Sequence, residues 1–190
     1  MSGRLTTEPT RRRLTERQAD TVRRLTEAAV DEVRETGYEG LTVRNVARRA
    51  GVAPATAYTY FASKNHLVTE IFWRRLSALP DVQTSAEPPR VRVVAVLREI
   101  ALLVSDEPAL AAACTMAILG TDPDVQELRL RIGLEIRRRL SAALGDAADG
   151  TMLNALEFAY AGALVQAGMG HTSYAEIADR LADVADLIVR

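Results

Sequence analysis

Apolar residues recur at three- and four-residue spacing in almost every segment of this chain, and no stretch alternates apolar and polar positions as a half-buried strand requires. Val22, Leu25, Ala29 and Val33 mark a first helix over residues 16–36, with Gly37 set to end it as a left-handed cap. Thr42 is suited to cap a second, short helix whose Val43, Val46, Ala47 and Ala50 share one buried face. Gly51 breaks that pattern. A third short helix follows with Pro54 at its first position, where the missing N–H is no loss. Ser63 can cap a fourth helix that carries Leu67, Val68, Ile71 and Phe72. Residues 80–89 hold three prolines and few apolar side chains, and read as a linker. Beyond it, five more helical stretches cover residues 91–105, 109–119, 123–144, 152–170 and 174–189. The pattern predicts an all-α chain of about nine helices.

Residues 42–61, TVRNVARRAGVAPATAYTYF, have a physical logic of their own. Two short helices joined by a tight turn cross closely, so small residues are needed where they meet. Ala47 and Gly51 fit that need, and Val52 can plug the joint. The outward residues of the second helix are small or hydroxylated, so it can enter a major groove with its amides toward phosphate.

Charge sharpens this picture. The 190 residues carry a net charge of −1, unevenly spread: residues 1–64 hold 12 Lys and Arg against 8 Asp and Glu, and residues 65–190 hold 12 against 17. A basic first third on an acidic body suits a protein that meets phosphate at one end. The Arg11-Arg12-Arg13 run reads either as a solvated tail or as a groove-reading arm. A hydrophobic content of 48% is enough for a real core, yet no uninterrupted apolar run is long enough for a membrane span. Cys114 is the single cysteine, which excludes an intrachain disulfide. The basic start is followed by Thr, Glu and Gln, not by the apolar stretch of a secretion signal, so a cytoplasmic, nucleoid-associated protein is expected. His66 and His171 are far apart in sequence, and no metal-spaced pair or phosphate-cradling glycine loop occurs. Neither catalytic residues nor a metal or cofactor are therefore expected.

The segment from Gly37-Tyr38 through Leu67 resembles the DNA-binding domain of the TetR (tetracycline-repressor) family. The resemblance rests on Leu41-Thr42-Val43-Arg44, Val46-Ala47, Ala50-Gly51-Val52, Thr56-Ala57-Tyr58-Thr59-Tyr60-Phe61, Lys64 and Leu67. It implies a helix-turn-helix DNA-binding domain over residues 16–64 with its motif at 42–61, preceded by a basic arm over 1–15. An effector-binding and dimerisation domain would follow over 65–190. It further implies that Thr42, Thr56, Tyr60 and Lys64 contact phosphates, that Arg44 reads a guanine edge, and that Thr59 influences sequence choice. Tyr58 and Phe61 would pack and so fix the recognition helix. Two residues depart from the family pattern. Ala53 stands where a capping Ser is frequent, and Ala57 is smaller than the usual Leu or Ile. They leave room for a second reading, a dimeric helical ligand-binding protein with weak or lost operator binding.

The resemblance also implies a homodimer formed through the last two helices on a palindromic double-stranded DNA operator, with repression relieved by a small, mostly apolar effector. The small-residue stripe Ala159, Ala163, Ala167, Gly170 and the apolar stripe Ile177, Leu181, Val184, Ile188 are the interface candidates, with intramolecular core as the equal alternative. The 123–144 helix is apolar on two faces, Val125, Leu128, Ile132, Ile136 and Leu140 on one and Leu130 and Leu134 on another. That predicts neighbours on both sides. Candidate effector-pocket residues are Leu97, Ala101, Val104, Met116, Leu119, Leu134, Met152, Phe158 and Tyr160, each of which also reads as plain core. Asn154, Glu157 and Gln166 interrupt an apolar helix and meet either a ligand's polar group or solvent. Arg48 and Arg49 read as a solvated face near phosphate, and Arg137, Arg138 and Arg139 as surface residues balancing nearby acids.

Overall fold

The computed structural model describes residues 16–82 and 86–189. The predicted arm over 1–15, with Arg11, Arg12 and Arg13, lies outside the described residues. Among the described residues the secondary structure is nine α-helices and one 3₁₀ turn, without strands. The helices are α1 (Glu16–Gly40), α2 (Val43–Arg49), α3 (Pro54–Tyr60), α4 (Lys64–Ala78), α5 (Pro89–Ala101), α6 (Pro108–Ile118), α7 (Pro123–Leu144), α8 (Gly150–Gly168) and α9 (Tyr174–Ile188).

Side-chain caps open α2, α4, α8 and α9, while a proline in the first turn opens α3, α5, α6 and α7. Thr42 Oγ1 accepts from the Asn45 N–H at 3.1 Å, and Ser63 Oγ accepts from the His66 N–H at 3.1 Å. Ser173 and Glu176 form a reciprocal capping box at the start of α9. Asp149 caps α8 two residues earlier than the apolar pattern alone suggests. α5 stops at Ala101 rather than 105, and residues 102–106 continue as turns up to Glu107, which is non-helical before Pro108. Gly37 interrupts α1 at φ 67, ψ −179. This is not the left-handed cap expected there but a region open essentially to glycine alone, after which the chain makes one more turn.

α4 is the hub: it packs against α1, α6 and α7. Leu67, Val68, Ile71, Phe72 and Leu76 are all buried on it. α5 lies along α9 and α7, and α8 packs on α9 and α6. Ile177 and Leu181 are consequently buried within the chain, so for these two residues the core alternative is the observed one. Val184 and Ile188 are half-buried.

Arg139 corrects the sequence reading most sharply. Its side chain is 1% exposed. It donates to the carbonyls of Pro80 (2.8 Å), Leu79 (2.8 Å) and Leu76 (3.3 Å), while its Nε–H bonds Glu135 Oε1 at 2.8 Å. These carbonyls lie at and just beyond the C-terminus of α4, where the Leu76 carbonyl also accepts from the Leu79 N–H, so a guanidinium fork from α7 completes that helix end. Arg138 remains at the surface, bonded to Glu135 and Asp81. At the other end of α4, the Asn65 amide donates to Asp122 Oδ2 at 3.0 Å, at the start of α7. That bond holds the Asp122 carboxyl below the usual carboxylate range. Tyr38 Oη bonds Asn65 in turn, joining the end of α1 to the same point. Thus α7 grips α4 at both ends.

Candidate nucleic-acid interface and effector cavity

At the α2–α3 turn, Gly51 adopts φ 63 and is exposed, so it serves backbone conformation rather than packing. Ala47 is fully buried, and its carbonyl accepts from the Val52 N–H at 2.9 Å, closing the turn. Arg24 of α1 bonds the Ala50 carbonyl. Arg49 does not face phosphate: its Nε–H meets Glu32 Oε2 at 2.9 Å and its fork takes Glu35. The bond from Arg49 lowers the Glu35 carboxyl below its ordinary range. Arg48 stays exposed.

Within α3, Ala57 and Phe61 are fully buried, while Ala55, Thr56, Tyr58 and Thr59 are exposed. One aromatic expectation fails here. Tyr58, expected to pack, is 51% exposed, and Tyr60 is half-buried against the core. The cause is the helical turn: burial of Ala57 and Phe61, four residues apart, turns position 58 away from the core. The Thr59 hydroxyl donates to the Ala55 carbonyl at 3.1 Å. Ala53 makes no side-chain cap, so α3 starts with open amides.

Thr42 and Arg44 are exposed on α2. Lys64 is half-buried; its ammonium donates to the Tyr38 carbonyl at 3.0 Å and lies 4.1 Å from the centroid of the Tyr38 ring. An ammonium has three N–H bonds, so this contact leaves donors for a phosphate. Thr42, Arg44, Thr56 and Thr59 are thus outward-facing together with Tyr58, while Tyr60 and Lys64 sit partly inside.

A cavity of about 710 Å³ lies among α4, α6, α7, α8 and the start of α9. Phe72 brings α4 into its wall. Of the sequence-predicted liners, Val104, Leu119, Leu134, Phe158 and Tyr160 border it. Leu97 and Ala101 do not; they are buried where α5 meets α7 and α9. Met116 is 54% exposed off the wall, and Met152 is half-buried against the core. Leu130 and Leu134 are 64% and 58% exposed and line the cavity. The second apolar face of α7 therefore borders open space, not the packed neighbour expected.

The wall includes polar groups, Glu157 among those the sequence marked as interrupting an apolar helix and Arg137 read there as a surface residue. Arg137 and Glu157 pair at 2.9 Å, and Arg137 also donates to Asn154 Oδ1 at 3.0 Å. Glu157 therefore meets a partner residue inside the wall, while Gln166 is exposed off it. Cys114, Thr115, Tyr160 and Tyr174 meet on another part of the lining. Burial pushes the Cys114 thiol up to about 12 and raises the Tyr160 phenol as well, so both are neutral. Among the described residues no helix is long and apolar enough to cross a membrane.

A helix-turn-helix joined by one central helix to a hollow helical body is the architecture expected of a DNA-binding regulator. Residues 25–71 match the model of the bacterial regulatory proteins of the tetR family. An HTH-type transcriptional regulator of Mycobacterium tuberculosis is 53% identical over 159 residues, 83% of this chain and 75% of that protein. The HTH-type transcriptional repressor KstR of Rhodococcus jostii is 31% identical over 113 residues, 58% of this chain and 53% of that protein. A TetR transcriptional regulator from Rhodococcus sp. RHA1 superposes with a TM-score of 0.71 at 25% identity, over 87% of this chain and 95% of that one. FadR of Bacillus subtilis, in complex with stearoyl-CoA, has the same fold with a TM-score of 0.66 at 17% identity, over 88% and 97%. The chain belongs to the TetR family of DNA-binding transcriptional regulators.

Proposed function

We propose that this protein is a repressor that binds a palindromic operator as a homodimer and releases it when a small, mostly apolar effector enters the cavity. The observation that carries the reading is the double grip of α7 on α4. α7 lines the cavity through Ile132, Gly133, Ile136 and Arg137. It also holds α4 through Asn65–Asp122 at one end and Arg139 at the other. A ligand that shifts α7 must move α4, and α4 leads directly to the recognition helix. A dimer needs its two recognition helices about 34 Å apart to reach successive major grooves, so a small rotation of α4 is enough to spoil the fit. Ligand and operator then oppose each other through their different affinities for the two shapes.

In this reading residues 16–64 bind DNA and residues 65–190 bind the effector and dimerise. Arg44 reads a base edge, Thr59 and the exposed Tyr58 contribute to sequence choice, and Thr42, Thr56, Tyr60 and Lys64 meet phosphates. Dimerisation through α8 and α9 is supported by large apolar side chains off the cavity that the chain itself leaves uncovered: Met169 at the end of α8 and Leu187 on α9 are 58% and 78% exposed. Repression is supported by the similarity to the KstR repressor over 113 residues. An apolar effector is supported by the lining and by the FadR fold, whose structure holds an acyl-CoA.

The test is operator binding followed by fluorescence anisotropy, on a duplex the protein itself selects from a random library. Aliphatic alcohols, ketones and acids of about ten to sixteen carbons, sized for such a cavity, are the probes. At least one should weaken operator binding tenfold or more at saturation. An unchanged affinity with every chain, each shown to occupy the protein, contradicts release by an apolar effector.

A further inference from the structure

The charges in the cavity wall do not balance. Its ionic side chains are Arg129, Arg137 and Glu157. Arg137 and Glu157 pair at 2.9 Å and offset each other, which leaves the charge of Arg129 over. Every other arginine of α7 has a carboxylate: Arg131 takes Glu127, Arg137 takes Glu157, and Arg138 and Arg139 share Glu135. Among the described residues Arg129 forms no ion pair, and its side chain makes one hydrogen bond, from Nη2 to the Gly120 carbonyl at 3.3 Å. That bond sets the guanidinium against the turn that follows Ile118 and Leu119, which are themselves in the wall, and leaves most of its donors unused. Gln126, three residues earlier on the same face of α7, borders the cavity too. Its amide donates to the Thr121 carbonyl at 3.1 Å and keeps a second N–H. Gly133 follows Arg129 by one turn in the same wall, and a Cβ there would meet nothing within 4 Å. A mid-helix glycine weakens a helix relative to alanine, but here it leaves room for a molecule lying along α7.

From this arrangement we propose that the effector is an amphipathic acid, an apolar tail ending in a carboxylate or phosphate, whose anionic head is held by Arg129 and Gln126 at the rim while the tail runs along α7 past Gly133. The inference rests on the effector reading above and specifies the ligand's polar end. Arg129 and Gln126 are both exposed, so the head keeps much of its water and escapes the cost of burying a charge. The guanidinium fork matches either oxyanion in bidentate fashion. Arg137 lies about 12 Å further along α7 and is already neutralised, so it does not compete for the head. The tail meets Leu130, Leu134 and Leu164.

The experiment uses the full chain at neutral pH and low salt, with isothermal titration calorimetry of four probes that share one tail and differ in the head: decanoate, decyl phosphate, 1-decanol and decyltrimethylammonium. The wild type should bind at least one of the two anions about fivefold tighter than 1-decanol and the cation most weakly, and the tighter anion identifies the head. Added salt should shrink the preference. Arg129→Gln should remove it while leaving 1-decanol binding and the melting temperature unchanged, since the side chain is exposed. Arg131→Gln removes an equal charge from α7 outside the wall and should leave the preference intact. Gly133→Leu, which fills the path of the tail, should weaken all four probes. An alcohol bound as tightly as both anions overturns the proposal. So does an anion preference that survives Arg129→Gln or that Arg131→Gln removes equally, and so does unchanged binding of every probe to Gly133→Leu; each of these leaves the effector cavity itself standing. Failure of every probe to bind the wild type overturns the cavity reading and this proposal with it.

Discussion

At α2 and α3 the interior is closed and the polar side chains face outward, whereas around the cavity the interior stays open and a few polar side chains join a mostly apolar lining. The recognition end is held by capped turns, by the glycine conformation at position 51 and by the Arg49–Glu32–Glu35 bridge to α1. Its exposed surface is modest: Ala53, Ala55, Thr56, Tyr58 and Thr59. The cavity end spends an ordered, neutral tyrosine and a guanidinium–carboxylate pair on its walls. The contrast teaches where selectivity resides. Few groups are available there to distinguish one DNA site from another, so in the proposed reading Arg44 and DNA shape carry much of that task. The proposed effector cavity offers a larger and more varied set of side chains.

The largest effect should come from the joint between the two regions. Arg139→Ala strips the C-terminal carbonyls of α4 of their donor and leaves Glu135 without one of its two arginines. It should cost about 3 kcal/mol of stability, read by chemical denaturation. Arg139→Lys should rescue little, because an ammonium cannot reproduce the fork. Retention of full stability in the alanine variant would remove α7's grip on α4 from the account.

Arg44→Ala sharpens the recognition end. It should weaken specific operator binding by about 1–3 kcal/mol and leave the denaturation midpoint unchanged, since the side chain is exposed. Ala53→Ser acts in the opposite sense. A hydroxyl at the start of α3 can accept an open amide, so stability should rise by about 1 kcal/mol, read as a higher melting temperature. The smallest effect concerns acid. Glu135 is held below its ordinary value of 4.5, chiefly by the hydrogen bond from Arg138. Because its folded value is depressed, its contribution is present above 4.5 and is lost as pH falls through the folded value. Glu135→Gln should therefore flatten the loss of stability in that acid range, followed by denaturation at a series of pH values.

Much of the recognition end was legible because its constraints are local. Thr42, Gly51, Pro54 and Ser63 act on residues within one helical turn, and spacing alone reveals such partners. Tyr58 was expected to pack but is exposed, because a seven-residue helix offers too little periodicity to fix which aromatic turns inward. The all-helical fold followed from the 3.6-residue repeat, but the cavity did not. Leu97 and Leu134 look alike as apolar positions in a sequence, and only the packing of α5 against α9 makes one core and the other a wall. Arg139 was misjudged for the same reason: its partners lie about sixty residues away at the end of α4.

Selection of duplexes from a random library by the intact protein, followed by sedimentation of the complex, tests the central claim most directly. The account predicts enrichment of an inverted repeat whose half-sites are centred about one helical turn, or a multiple of it, apart. It predicts two chains or more on each duplex, and loss of the enrichment in Arg44→Ala. Recovery of unrelated sequences at an affinity equal to that for bulk DNA, by a protein that is folded, would contradict it.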